Sequence, residues 1–219
     1  MPSRLLKNHK VRIVLALLLA SCLSIAMLAV RIMYTQHITY IFLAWNLFLA
    51  WLPFTFALTA YQLRGRPLLM LPFCGLWLLF LPNAPYIITD LMHLNFSSSM
   101  PIWYDTIMLF SFALTGLLLG FLSLYLMQAL VVRRFGWEWG WLFVALMLGL
   151  SGLGVYIGRF LRWNSWDIFT DPLTLLQSLL DPELFLKAFV VTTLLSLVSI
   201  FAYVIMVSMP RLSLELVRE

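Results

Sequence analysis

The chain has 219 residues, 63% of them hydrophobic and only 11% charged, with a mean hydropathy of +0.98 and a net charge of +5. In soluble domains about a quarter of the residues are charged, so water is not the main solvent of this polypeptide and a soluble globular domain is excluded.

A helix needs about 20 apolar residues to cross a bilayer. Runs of that kind lie between Ile13 and Val30, Ile38 and Leu63, Pro67 and Thr89, Thr106 and Val132, Trp139 and Gly158, and Ala188 and Met209. They predict an all-α, polytopic bundle of six transmembrane helices, a single integral-membrane domain over residues 1–219. The first run follows Arg4, Lys7, Lys10 and Arg12 and so imitates a secretory signal. It has no convincing small-x-small cleavage site and five spans follow it, so it reads as an uncleaved anchor. Cys22 and Cys74 lie within spans, where a thiol packs as a small apolar group rather than cross-linking.

Lys and Arg close to spans tend to stay on the cytoplasmic side. With the N-terminus inside, that side holds Arg4, Lys7, Lys10, Arg12, Arg64, Arg66, Arg133, Arg134, Arg211 and Arg218, against Arg31, Arg159, Arg162 and Lys187 outside. Both termini are therefore expected in the cytoplasm of a cell-membrane protein. Asp90, Asp105, Asp167, Asp171, Asp181 and Glu183 then fall outside. This topology accounts for the positive net charge, and no nucleic-acid partner is expected.

The inner connections, around Arg64 to Arg66 and Arg133 to Glu138, are tight, whereas the outer ones, Asp90 to Asp105 and Arg159 to Lys187, carry most of the reactive side chains. Trp103 and Tyr104 outside, and Trp137, Trp139 and Trp141 inside, fall at the depths that amphipathic rings prefer. Asp171-Pro172 and Asp181-Pro182 each read as a helix start, with Asp as N-cap and Pro in the first turn. The first opens a short interfacial helix through Leu173, Leu175, Leu176, Leu179 and Leu180, and the second starts span six early.

Glycines punctuate spans four and five: Gly116 and Gly120, then Gly149, Gly152, Gly154 and Gly158. Small residues spaced by four let helices approach closely in lipid, so these predict a tight contact between the two spans or with a helix of a neighbour, through Gly116, Gly120, Gly154 and Gly158. The run from Gly152 to Gly158 misses the dinucleotide-binding spacing by one position and follows no strand, so it is not a nucleotide loop.

Function is sought where span three ends, in Leu81-Pro-Asn-Ala-Pro-Tyr-Ile-Ile-Thr-Asp-Leu-Met-His93. Lipid offers no partner to a free peptide group or a carboxylate, so prolines and polar residues here must be satisfied by protein or by ligand. On a continuous α-helix Asn83, Tyr86, Asp90 and His93 share an arc of about 80°. Counting about 1.5 Å per residue from Pro67, Asn83 lies roughly 24 Å and Asp90 roughly 35 Å along the span, near its outer end. One reading is a ligand site in which Asp90 and His93 share a proton or touch a cation. The other is an interfacial helix end whose aspartate pairs with an arginine. A metal set of His37, Asp90, His93 and Asp105 is a weaker alternative, since no ligand spacing demands it; no metal and no cofactor are expected.

The second constellation is Arg159-Phe-Leu-Arg162-Trp-Asn-Ser-Trp-Asp167, outside and against the charge bias. Arg159 and Arg162, one helical turn apart, form either a two-pronged cradle for phosphate with Trp163, Asn164, Trp166 and Asp167 around it, or a structural network that neutralises Asp90 and Asp105.

The strings Leu81 to Asp90, Trp103-Tyr-Asp105 and Gly158 to Asp167 resemble an uncharacterised bacterial integral-membrane family, catalogued as domain of unknown function 1361, over almost the whole chain. The resemblance implies a small prokaryotic multi-span protein of the cell membrane and supplies no activity. From the residues alone the foremost reading is a polar site at the extracytoplasmic interface, in contact with the bilayer, that binds or processes a phosphorylated lipid or lipid-linked anionic headgroup. A small-solute transporter is the second reading, although spans one to three and four to six show no inverted repeat. A structural partner of another membrane protein is the third.

Overall fold

The computed structural model describes residues 2–94, 99–163, 170, 173 and 182–216. These residues are helical throughout, with no strand among them, in the order α1 (Pro2–Thr35), α2 (Phe42–Gln62), α3 (Pro67–Phe80), α4 (Asn83–Tyr86), a 3₁₀ segment (Ile87–His93), α5 (Ile102–Phe135), α6 (Trp137–Arg159) and α7 (Pro182–Leu216). Six stretches are long and apolar enough to cross a membrane: Val11–Thr35, Phe42–Gln62, Pro67–His93, Ile102–Phe135, Trp137–Arg159 and Phe185–Met209. Each overlaps one predicted span. The proposed interfacial helix lies outside the described residues apart from Leu173.

Short connections dictate antiparallel neighbours. Leu63 to Arg66 joins α2 to α3, and Gly136 alone joins α5 to α6. Gly136 has φ of 99°, a left-handed conformation that glycine adopts without steric cost. Long, lipid-facing apolar side chains cover the outside of every span, among them Leu19, Leu68, Phe110, Leu146 and Phe201.

The centre is α5: 61% of its apolar window is buried, against 17–39% for the other spans. It touches α1, α2, α4, the 3₁₀ segment and α6. Lipid tails are as apolar as leucine, so burial of hydrophobic surface does not hold spans together; close packing and interhelical hydrogen bonds do. The bonds are supplied mainly by aromatic donors. Trp51 Nε1 donates to Ser21 Oγ (3.0 Å), Trp77 Nε1 to Ser123 Oγ (3.1 Å), Tyr104 OH to the Met27 carbonyl (2.9 Å) and Tyr203 OH to Gln128 Oε1 (2.6 Å). They stitch α1 to α2, α3 to α5, α1 to α5 and α5 to α7, each worth about 0.6 kcal/mol on average in a membrane. Cys22 and Cys74 are free thiols.

The glycines do not face one another across α5 and α6. A Cβ at Gly120 would lie 2.7 Å from the Ala84 Cβ, and one at Gly116 would lie 2.8 Å from Ile87 Cδ1. From the other side a Cβ at Gly154 would overlap the Pro82 ring, and one at Gly158 would touch the Tyr86 ring at 3.3 Å. Four glycines on two spans thus clasp one short piece of chain, Pro82 to Ile87. Gly152 packs on α7 instead, against Thr192 and Ser196.

Filling these contacts is expected to be costly. Gly120→Leu and Gly154→Leu should each destabilise the protein by about 1–3 kcal/mol, the usual penalty of overpacking. Gly149 has open space where a Cβ would stand, with no heavy atom within 4 Å, and should accept alanine within about 0.5 kcal/mol. Thermal unfolding of the detergent-solubilised variants measures all three.

Candidate functional site

The third span breaks because Pro82 and Pro85 have no N–H to give to the carbonyls four residues before them. Helix α3 stops at Phe80, and the next bond, from the Ala84 N–H, shortens to the Leu81 carbonyl (3.2 Å). The Phe80 carbonyl that loses this donor is taken by Asn83 Nδ2 at 3.0 Å. Asn83 therefore mends the break.

Beyond Tyr86 the chain tightens into the 3₁₀ segment. With three residues per turn, positions three apart eclipse, so the predicted α-helical stripe holds only in part. Ile87 and Asp90 fall on one face and are buried, while His93, on the same face one turn later, is exposed at the rim. The His93 ring packs edge-on against Phe42, its centroid 5.2 Å away, and its carbonyl accepts the Tyr40 hydroxyl at 2.7 Å.

Two arginine–aspartate pairs, one fully buried and one partly, occupy this end of the bundle, where α1, the third span and α6 finish and α2 and α5 begin. In the first, Arg31 Nε donates to Asp105 Oδ1 (2.8 Å) and Nη2 to Oδ2 (3.2 Å). The fork-on-fork match satisfies both carboxylate oxygens, and the side chains are 4% and 0% exposed. The guanidinium also stacks 4.2 Å over the Tyr40 ring.

The second pair is looser. Arg159 Nη2 lies 3.2 Å from Asp90 Oδ1, but its short hydrogen bond goes to the Thr89 carbonyl at 2.6 Å. Nη1 reaches Tyr86 OH at 3.3 Å, with the guanidinium carbon 5.3 Å from that ring's centroid. Asp90 Oδ2 accepts Asn46 Nδ2 at 2.7 Å, whereas Oδ1 accepts no hydrogen bond from any described residue. Asp90 is 1% exposed; Arg159 keeps 14% of its side chain open.

Tyr86, Asp90 and Arg159 from the two predicted constellations thus meet. Asp105 belongs to Arg31, not to Arg159 or Arg162. Nor are the two outer arginines neighbours on one helical turn, because α6 ends at Arg159. Arg162 sits in a left-handed kink (φ 59°), exposed, that folds the Trp163 N–H back to the Ile157 carbonyl at 3.2 Å. Trp163 is half-buried; Asn164, Trp166 and Asp167 lie outside the described residues. Among the described residues no three of His, Cys, Asp and Glu gather closely enough to hold a metal ion.

Two contributors escaped the sequence reading, Arg31 and Asn46. Both carried a signal. Arg31 defies the charge bias as Arg159 does, and Asn46 is an amide inside an otherwise apolar span, where a polar side chain needs a partner.

The sequence profile of the family described as Protein of unknown function (DUF1361) matches residues 45–208. The chain belongs to that family. No curated protein and no solved structure matches it.

Because removing one member of a buried pair strands the other charge, Arg31→Met or Asp105→Leu alone should each cost about 3–5 kcal/mol. The double replacement should cost clearly less than the sum. A double-mutant cycle on thermal or denaturant unfolding reads the difference, and additive losses would show that the pair does not couple.

Proposed function

We propose that this DUF1361 protein is a multi-pass protein of the cell membrane, with both termini cytoplasmic, that binds an anionic phosphorylated headgroup at its extracytoplasmic rim. Arg159 is the anion-binding group. The observation that supports this is the unequal holding of the two aspartate-paired arginines. Arg31 has matched both oxygens of its aspartate and is closed off, as a structural strut should be. Arg159 is fixed in place by a backbone carbonyl and a phenol, contacts its aspartate at 3.2 Å without an aligned hydrogen bond, and keeps 14% of its side chain exposed.

A phosphate oxygen that reaches the guanidinium can improve on the Asp90 contact, since guanidinium presents paired donors that suit oxyanions. Exposed Arg162 and Lys187 lie at the same end and add positive potential where an anionic headgroup would sit. The membrane supplies such headgroups at this depth. Transport is the weaker reading because the polar cluster sits toward one end of the bundle, not at the midplane where carrier sites form. The assembly reading is weaker because Gly116, Gly120, Gly154 and Gly158 are occupied within the chain.

Two measurements test the proposal. Purified protein in nanodiscs should bind phosphatidylglycerol in preference to phosphatidylcholine. Arg162→Ala should weaken this by about fivefold, the worth of roughly 1 kcal/mol per basic residue near a charged surface. Arg159→Lys, which keeps charge but loses the planar fork, should weaken it at least tenfold, an effect of about 1.4 kcal/mol. Equal binding of both lipids by all three proteins would sink the reading. For topology, a reporter that is active only in the cytoplasm should be active when fused after Glu219.

A further inference from the structure

Asp90 is an odd residue to find beside an anion site. Its carboxylate is held on one oxygen, by Asn46, while the other lies 3.2 Å from Arg159 Nη2, accepts no hydrogen bond from any described residue and is shielded from solvent. A buried carboxylate oxygen held only by an ion-pair contact, with no aligned donor, is less well satisfied than its partner oxygen unless something completes it. An anion on Arg159 would also leave two negative charges around one guanidinium, and like charges that close disfavour each other's ionised form.

A single proton resolves both problems. We propose that the site takes its oxyanion together with one proton, carried on Asp90 Oδ1. As the anion settles on Arg159, a proton from solvent forms the O–H bond on Oδ1, and that O–H donates to an anion oxygen. No electron moves. The buried site holds zero net charge before binding (Asp90 carboxylate, Arg159 guanidinium) and zero net charge after it (neutral Asp90, Arg159, one anionic oxygen). This rests on the anion-binding reading above and specifies its stoichiometry.

The surroundings leave Asp90 as the group placed to accept the proton. On its own segment His93 is exposed and one turn further out, and Tyr86 in α4 is engaged with Arg159. Helix α2 contributes neutral Asn46 and no charged residue; its Tyr61 is at the far end. At this end α5 contributes Tyr104, bonded to Met27, and Asp105, already matched on both oxygens by Arg31; its Tyr125, Arg133 and Arg134 are remote. Before α2, Tyr40 gives its hydroxyl to the His93 carbonyl. Helix α6 contributes Arg159 here and Glu138 at its opposite end.

The test uses the full chain in nanodiscs and two monoanionic probes that do not titrate near neutrality, phosphatidylglycerol and methyl sulfate. Calorimetry in two buffers of different ionisation heat counts protons. Wild-type protein should take up about one proton per anion bound, and affinity should weaken about tenfold per pH unit over the range where Asp90 is ionised before binding. Asp90→Asn, neutral at every pH, should bind with the wild type's low-pH affinity and show no pH dependence. His93→Ala and His37→Ala should keep the wild-type slope. Methyl sulfate binding as tight as lipid supports the proposal with a small oxyanion as ligand, and lipid binding alone supports it with a headgroup.

Binding without proton uptake overturns the inference and leaves the anion site standing. So does a slope that vanishes in His93→Ala but survives in Asp90→Asn. Failure of both probes to bind at any pH overturns the inference and the anion-binding reading together. If Asp90→Asn does not fold, the proton count on the wild type decides alone.

Discussion

A bilayer gives a buried charge no water to fall back on, and this constraint organises the molecule. Every ionised group carried into the bundle needs an opposite charge and hydrogen bonds close enough to replace its hydration. Two arginine–aspartate pairs meet that need, one joining α1 to α5 and the other joining α6 to the broken third span. Tyr40 lies between them, its ring under Arg31 and its hydroxyl on the His93 carbonyl. The first, third, fourth and fifth spans are thereby tied at one end, while at other depths close packing is supplemented by single bonds such as that from Trp77 to Ser123.

The broken span is the second determinant, and it follows from the chemistry of proline rather than from charge. Once Pro82 and Pro85 open the helix, the freed carbonyls and the narrow piece of chain around Ala84 have to be enclosed without lipid reaching them. Asn83 caps one carbonyl, and Gly116, Gly120, Gly154 and Gly158 let α5 and α6 close over the rest. Replacing any of these four glycines by a larger residue would push the span outward. That would also carry Asp90 away from Asn46 and Arg159, so packing at the break and geometry at the ion pair are one structural problem.

Most of the architecture was legible from composition and periodicity because span length is set by membrane thickness: six apolar runs became six spans, the third of them broken, with ends shifted by a few residues. The site was legible in part. Asp90, Tyr86 and Arg159 stood out as polar residues at span ends, and they converge. The predicted stripe held only in part because it assumed a turn of about 100° per residue throughout, whereas the chain becomes 3₁₀ after Tyr86: Asn83 caps the Phe80 carbonyl and His93 is exposed, while Tyr86 and Asp90 meet at Arg159. The pairing of Asp105 with Arg31 was not legible, since residues 74 positions apart have no local signal of contact. The helical spacing assumed for Arg159 and Arg162 failed at a boundary: the helix was extended one turn past its end, and Arg162 stands in a left-handed kink instead of on that turn.

The two aspartates differ in what lies beneath them, in keeping with the proposal that one pair is a strut and the other belongs to the binding site. Asp105 stands in the first turn of a 34-residue α-helix at the centre of the bundle, so its carboxylate can move only if that helix moves. Asp90 stands on seven residues of 3₁₀ helix, longer than such segments usually run and with poorer hydrogen-bond geometry than an α-helix. A segment of that kind adjusts at lower cost. Small shifts of its backbone alter the Thr89 carbonyl and the Asp90 carboxylate together, and both face the same guanidinium. Arg159 is therefore coupled to the 3₁₀ segment through two contacts at once, and under the proposed reading a ligand would displace one of these internal partners without unfolding the bundle.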